Sequence, residues 1–211
     1  SVEMHIYCKP GGDSMSFAGE ESDYFVFFYP GILAMIVLFT TIFATISVIE
    51  DRQSGFLQSV MVAPGSRMSM VLGKVAGVTT VALIQSVLFL LFAPLAGFSF
   101  SVIAWPQLVL SIVLFSICFT SIGFTLAWLI NSNMGYHGIM SVVLIPLWIL
   151  SGAMFPMTEG WIAWAAKLNP ISYGVSGIRG AMQGGAESVQ IWGDLGILAG
   201  CAVAALILAN R

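Results

Sequence analysis

Ile49–Lys74 reads IEDRQSGFLQSVMVAPGSRMSMVLGK. It is the longest polar interruption between two strongly apolar runs, and it opens on three consecutive charged residues, Glu50, Asp51 and Arg52. Phe56, Leu57, Val60 and Met61 recur at a spacing that sets all four on one side of a helix. Pro64-Gly65 stops that helix and Ser66 is placed to cap the next, on which Arg67 and Lys74 share a face. A short amphipathic helix between two membrane spans is positioned to dock on something at the membrane surface.

The composition outside this stretch explains why its flanks must be membrane spans. Hydrophobic residues make up 58% of the 211 and charged residues only 8%, against about 25% charged in a soluble domain. The chain is therefore a polytopic membrane protein. The net charge of −3 is too small to say anything about nucleic acid, but the chain has no basic patch to bind it, so none is expected as a partner. Cys8, Cys118 and Cys201 fit neither a metal spacing nor a disulfide framework, and the latter two read as small packing residues inside apolar runs. His5 and His137 have no carboxylate or cysteine at ligand spacing, so no metal site is expected; both read as surface histidines, His137 in a short loop.

Five apolar runs approach or exceed the roughly 20 residues a helix needs to cross the hydrocarbon. They are residues 25–49, 71–98, 107–130, 139–155 and 191–209, with Pro94 kinking or ending the second and Pro146 inside the fourth. Residues 1–24 form a polar segment rather than a signal peptide. Lysine and arginine in the short connections favour a cytoplasmic side for Ile49–Lys74, Asn131–Gly138 and the C-terminus, which hold Arg52, Arg67, Lys74 and Arg211. Arg67 and Lys74 read as anchors that hold helix ends at the headgroups by snorkelling. No Asp, Glu, Lys or Arg sits in the middle of any run. An ion-coupled carrier usually needs such a residue, so that class is disfavoured.

Residues 156–190 are neither a span nor a plain loop. Trp161, Ile162, Trp164, Ala165 and Leu168 suit a short helix at headgroup level. Asn169-Pro170 then gives an N-cap followed by proline at the first helical position, and Gly184-Gly185 closes the helix. Ile171, Val175, Ile178 and Met182 form its apolar stripe, with Ser172, Ser176, Arg179 and Gln183 off it. At about 21 Å, Pro170–Gln183 is too short to cross. A re-entrant pair and a surface-lying hairpin both fit these residues.

No phosphate-binding loop, zinc-protease helix or nucleophile elbow is present, which excludes those enzyme classes. Gly73–Gly77 and Gly196–Gly200 match the small-xxx-small helix contact pattern and read as packing. The hydroxyls along Ser111–Thr125 either line a polar path or bond to their own helix backbone.

Three groups of residues resemble a known family. Glu50-Asp51-Arg52-Gln53-Ser54-Gly55-Phe56-Leu57, then Val62-Ala63-Pro64 and Leu72-Gly73-Lys74, are similar to the membrane subunit of type-2 ABC exporters. Tyr29-Pro30-Gly31-Ile32 and the pairing of Asn169-Pro170-Ile171-Ser172-Tyr173 with Ile178-Arg179-Gly180 match the same family in order and spacing. Asp51, Phe56 and Gln58 depart from its usual residues. The resemblance implies an all-α integral membrane permease forming a single domain over residues 1–211, in the cell (inner or plasma) membrane. It implies six spans, the first of them before Ser1, with Ser1–Tyr24 as the outer loop after it. It makes residues 50–66, with Glu50–Ala63 as a coupling helix, the seat for a cytoplasmic ATPase subunit through Glu50, Arg52, Gly55, Phe56, Leu57, Val60, Met61 and Pro64. It makes residues 156–190 an outer re-entrant hairpin that includes Asn169, Pro170, Tyr173 and Arg179. The implied partners are that ATPase, which would bind ATP and Mg, and a second copy or homologous permease. No cofactor or catalytic residue is expected in this chain, and the substrate is not readable. A non-transporting membrane scaffold and an ion-coupled carrier are the competing readings.

Overall fold

The structure is a computed structural model that describes residues 17–55, 67–130, 132–153, 166–185 and 188–210. Every regular element among them is helical: α1 (Phe17–Ala44), α2 (Ile46–Gln53), α3 (Arg67–Leu90), a 3₁₀ turn (Ala93–Ala96), α4 (Trp105–Leu129), α5 (Asn133–Ile149), α6 (Pro170–Met182) and α7 (Ser188–Asn210). Four stretches are long and apolar enough to cross a membrane: Phe25–Gln53, Met68–Leu90, Trp105–Leu129 and Trp192–Ala209. The described part of α5 has 17 residues and is a shorter apolar helix.

α4 is the axis of the bundle and packs on α1, α2, α3, α6 and α7. Its buried face runs through Leu108, Ile112, Phe115, Phe119 and Phe124, and the core continues into Leu33, Leu38 and Ile42 of α1 and Ile171 and Ile178 of α6. The outward faces of α3 and α7 are apolar as well, with Ile84, Val87, Val203 and Ile207 each about half exposed. Such faces suit hydrocarbon rather than water. The two glycine pairs lie there: a Cβ added at Gly73, Gly77, Gly196 or Gly200 would meet nothing within 4 Å. Their expected packing role therefore has no partner among the described residues.

Cross-contacts define two ends. At one, Arg52 of α2 reaches the last carbonyls of α4, and Lys74 near the start of α3 reaches Asp51. At the other, Arg179 of α6 reaches Phe27 of α1 and the turn after α5, while Ala104 donates to the Ala181 carbonyl.

Several boundaries move from their expected places. Helix α1 starts at Phe17, inside the expected outer loop, where Ala18, Glu20 and Glu21 are good helix formers. The first span runs on to Gln53 across a single interruption at Thr45. The second ends at Leu90 rather than residue 98, because the chain tightens into the 3₁₀ turn at Pro94 and closes it at Gly97, φ +87. Helix α5 starts at Asn133, six residues before the expected span, with Ser132 as N-cap accepting from the Gly135 amide at 3.4 Å. His137 is accordingly on a helix rather than in a loop, with its ring 5.0 Å from that of Phe43. Cys118 is buried and Cys201 half-buried, both as free thiols.

Candidate coupling and re-entrant sites

The interruption between α1 and α2 is a polar knot. Thr45 Oγ1 turns back to the Ile42 carbonyl at 2.5 Å and also meets the Tyr136 hydroxyl at 2.6 Å. The Tyr136 hydroxyl lies 3.2 Å from the Ile42 carbonyl and 3.3 Å from the Gly123 carbonyl. Tyr136 is fully buried, and Gly123 gives it room: a Cβ there would stand 2.8 Å from Thr45 Oγ1. Residue 45 thus bonds sideways to α5 as well as along its own helix. This fixes the direction in which α2 leaves the bundle core.

Three consecutive charged residues of α2 then fan out to three different neighbours. Glu50 Oε1 accepts from Asn133 Nδ2 at 3.4 Å, at the start of α5. Asp51 Oδ2 accepts from Lys74 Nζ at 3.2 Å, in the second turn of α3. Arg52 donates through Nη1 to the Trp128 carbonyl at 3.1 Å and through Nη2 to the Ile130 carbonyl at 2.8 Å, with its guanidinium 5.7 Å from the Trp128 ring centroid. These carbonyls stand at the C-terminal end of α4, where a cation meets the negative pole of the helix. Successive residues point about 100° apart on a helix, so one turn can address three directions.

Two corrections follow. Glu50–Arg52 close the helix of the first span instead of opening a separate coupling helix. Lys74 is half-buried in an ion pair with Asp51 instead of standing alone as a headgroup anchor. Helix α2 ends at Ser54-Gly55. Gly55 has φ +75, and a Cβ there would touch nothing, so glycine is favoured by backbone conformation rather than by space. Phe56, Leu57, Val60, Met61 and Pro64 lie outside the described residues, as do Ser66 and Trp161–Ala165.

At the opposite end, Asn169 caps α6 as its sequence suggests, with Oδ1 accepting from the Ile171 amide at 3.0 Å. Its Nδ2 also donates to the Leu147 carbonyl at 2.6 Å, tying the cap to α5. The expected stripe Ile171, Val175, Ile178 and Met182 is buried, and Gly184 and Gly185 both have positive φ. Helix α6 runs antiparallel to α4. Ala181 lies at the Ala104 level, Gly177 faces Ser111, and a Cβ at Gly174 would overlap the Phe115 ring. Phe115 stands about 15 Å along α4 from its Trp105 end. Tyr173 donates its hydroxyl to the Lys167 carbonyl at 2.6 Å.

Arg179 Nη2 donates to the Gly152 carbonyl at 3.1 Å and to the Phe27 and Ala153 carbonyls at 3.4 Å, and the guanidinium lies 4.1 Å from the Phe27 ring centroid. Its Nε is buried without an acceptor among the described residues. Burial lowers its pKa to about 10, which leaves it cationic at neutral pH. A helix, a turn and a second helix meet at this one side chain. One turn earlier on α6, Ser176 donates to Asp194 of α7 at 2.5 Å.

Three hydroxyls of α4 take the backbone-bonded role. Ser111, Ser121 and Thr125 bond back to the carbonyl four residues earlier, whereas Ser116 and Thr120 are buried with no hydrogen-bond partner among the described residues.

A family model described as ABC-2 family transporter protein matches residues 10–210, which takes in both ends of the bundle. The chain is similar to the transport permease ycf38 of Cyanophora paradoxa, 28% identical over 165 residues that cover 75% of this chain and 56% of the relative. It is similar to the permease of the same name from Porphyra purpurea, 29% identical over 138 residues (61% and 46%), and to that from Pyropia yezoensis, 28% over 157 (68% and 52%). The chain spans about half the length of the curated relatives it matches.

Proposed function

Given that the chain belongs to the ABC-2 family of transporter proteins and is a multi-pass membrane protein, we propose that it is the permease subunit of an ATP-driven exporter. The observation that carries this reading is the family match over residues 10–210, a range that takes in every helix of the bundle. In this reading two permease subunits, identical or homologous, sit in the cell membrane above two cytoplasmic ATPase subunits. The Arg52 end faces the cytoplasm and the Arg179 end faces outward. ATP and Mg are bound by the partner, and this chain carries out no hydrolysis. Substrate leaves from the cytoplasm or inner leaflet as the displaced helices open outward.

The docking surface lies beyond Gly55, on Phe56, Leu57, Val60 and Met61, an apolar knob bounded by Pro64 and by the charges of α2. Glu50 and Arg52 orient it by gripping the helix ends behind it. Helix α6 is the second arm of an outer re-entrant pair, lying along the outer half of α4 and shaping the exit. The experiment is affinity purification of the membrane-extracted permease. An ABC ATPase should co-purify, and Phe56→Asp should abolish both the association and ATP-dependent export. A Phe56→Asp variant that keeps its ATPase and its export would refute the docking assignment. Export driven by an ion gradient without ATP would overturn the exporter reading in favour of a carrier.

A further inference from the structure

We propose that the junction of α1, α3 and α4 is a water-binding site inside the bundle, held by the hydroxyls of Thr79, Ser116 and Thr120. The inference goes beyond the exporter reading and does not depend on it. Thr79 is 8% exposed and Ser116 and Thr120 are 0% exposed, yet none of the three hydroxyls has a hydrogen-bond partner among the described residues. Buried polar groups are almost always paired, with protein or with ordered water. Their neighbours show the other way to be paired: Thr80 and Ser86 of α3, and Ser111, Ser121 and Thr125 of α4, each turn back to the carbonyl four residues earlier. The three that do not turn back share one location.

Lys74 of α3 meets Asp51, whose neighbour Arg52 holds the end of α4, so α3 and α4 run antiparallel from that end. Measured from there, Thr79 is five residues past Lys74 and Thr120 eight residues before Trp128, depths of about 7.5 and 12 Å, with Ser116 one turn deeper. Thr79 shares the buried side of α3 with Val75, Ala82 and Ser86, and α3 packs chiefly on α1 and α4. On α4, Ser111 meets α6 at Gly177, with Leu195 of α7 beside it. At about 100° per residue, Ser116 and Thr120 stand about 140° and 180° round the helix from Ser111, on the side that α1 and α3 cover. At a similar depth Thr40 of α1 donates to Gln85 of α3, whose side chain is exposed. Polar groups thus continue from the junction to the edge of the α1–α3 contact, the side from which water enters. Water matches this donor set. Side chains four residues apart on a helix stand about 5–6 Å from one another, too far for a direct bond between Ser116 and Thr120 but within reach of one bridging water. A buried water typically satisfies about three polar groups, and three are present.

The test uses the full chain in lipid bilayers, labelled with carbon-13 threonine, and solid-state NMR in which polarisation starts on water protons. The Thr79 and Thr120 Cβ signals should build up faster than that of Thr45. Thr45 is equally buried, but its hydroxyl is already engaged by Tyr136 and the Ile42 carbonyl. Thr79→Val and Thr120→Val supply the assignments. In thermal unfolding each should lower the midpoint, and the double variant should lower it by less than the sum, because the second hydroxyl has lost the water it shared with the first. Signals at Thr79 and Thr120 that build up no faster than Thr45 contradict the site. So do midpoint shifts that simply add, the behaviour of hydroxyls bonded to their own backbone. If a valine variant fails to fold, Thr79→Ser and Thr120→Ser keep the hydroxyl and still supply the assignments, so the NMR measurement decides alone.

Discussion

At the scale of single residues, Gly174 and Tyr136 are the positions where the bundle has least slack. Gly174 lets α6 press its backbone against the Phe115 ring. Gly174→Ala should lower stability by about 1–3 kcal/mol through overpacking, measured as a drop in the thermal unfolding midpoint in detergent. Gly73→Ala is the matched control. It lies on α3 with open space around it and should be neutral or slightly stabilising, since alanine is the better helix former. Tyr136→Phe removes a hydroxyl shared by Thr45 and the Ile42 and Gly123 carbonyls. Its cost should be about 0.6–1.7 kcal/mol, the range of side-chain hydrogen bonds inside membrane bundles, read from the same unfolding measurement. Neither site was legible in the chain. Gly174 is one of 22 glycines, and Tyr136 falls where a loop was expected. Each gains its role from a neighbour at least 59 positions away, a separation that local patterning does not encode.

At the scale of elements, local chemistry was legible wherever a helix carries its own stop and start signals. Asn169-Pro170 and Gly184-Gly185 bound α6 as read, and its apolar stripe is the buried face. Asn169→Ala should cost about 1 kcal/mol for the lost cap, more if the Leu147 bond matters. Asn169→Ser keeps a capping oxygen and loses the amide donor, so its unfolding midpoint should fall between alanine and wild type. The charged cluster Glu50–Arg52 stood out in the chain, but its place near the end of a helix did not. An apolar stripe beyond it suggested that a helix begins there, yet Gly55 shows that one ends. The pairing of Asp51 with Lys74 depends on the intervening chain folding back on itself, and no periodicity reports that.

At the scale of the whole molecule, run length and the absence of charge pointed to an all-helical membrane bundle, and the helices follow the third and fifth expected runs closely. The fourth was displaced because Ser132 starts its helix early and glycines at 135 and 138 obscure the apolar pattern. Orientation gives a direct test in intact cells. A membrane-impermeant maleimide should label Ser99→Cys, between the 3₁₀ turn and α4, but label His137→Cys only after permeabilisation, in a background lacking the native cysteines. The reverse pattern would invert the topology. Helix α6, finally, has a consequence for biogenesis. Its 13 residues, about 20 Å of helix, are too few for the insertion machinery to recognise as a span. Its packing partners include α7, which is synthesised after it. Helix α6 can therefore complete its packing only after α7 has been threaded, so the Arg179 end of the bundle closes later than the α1–α4 core.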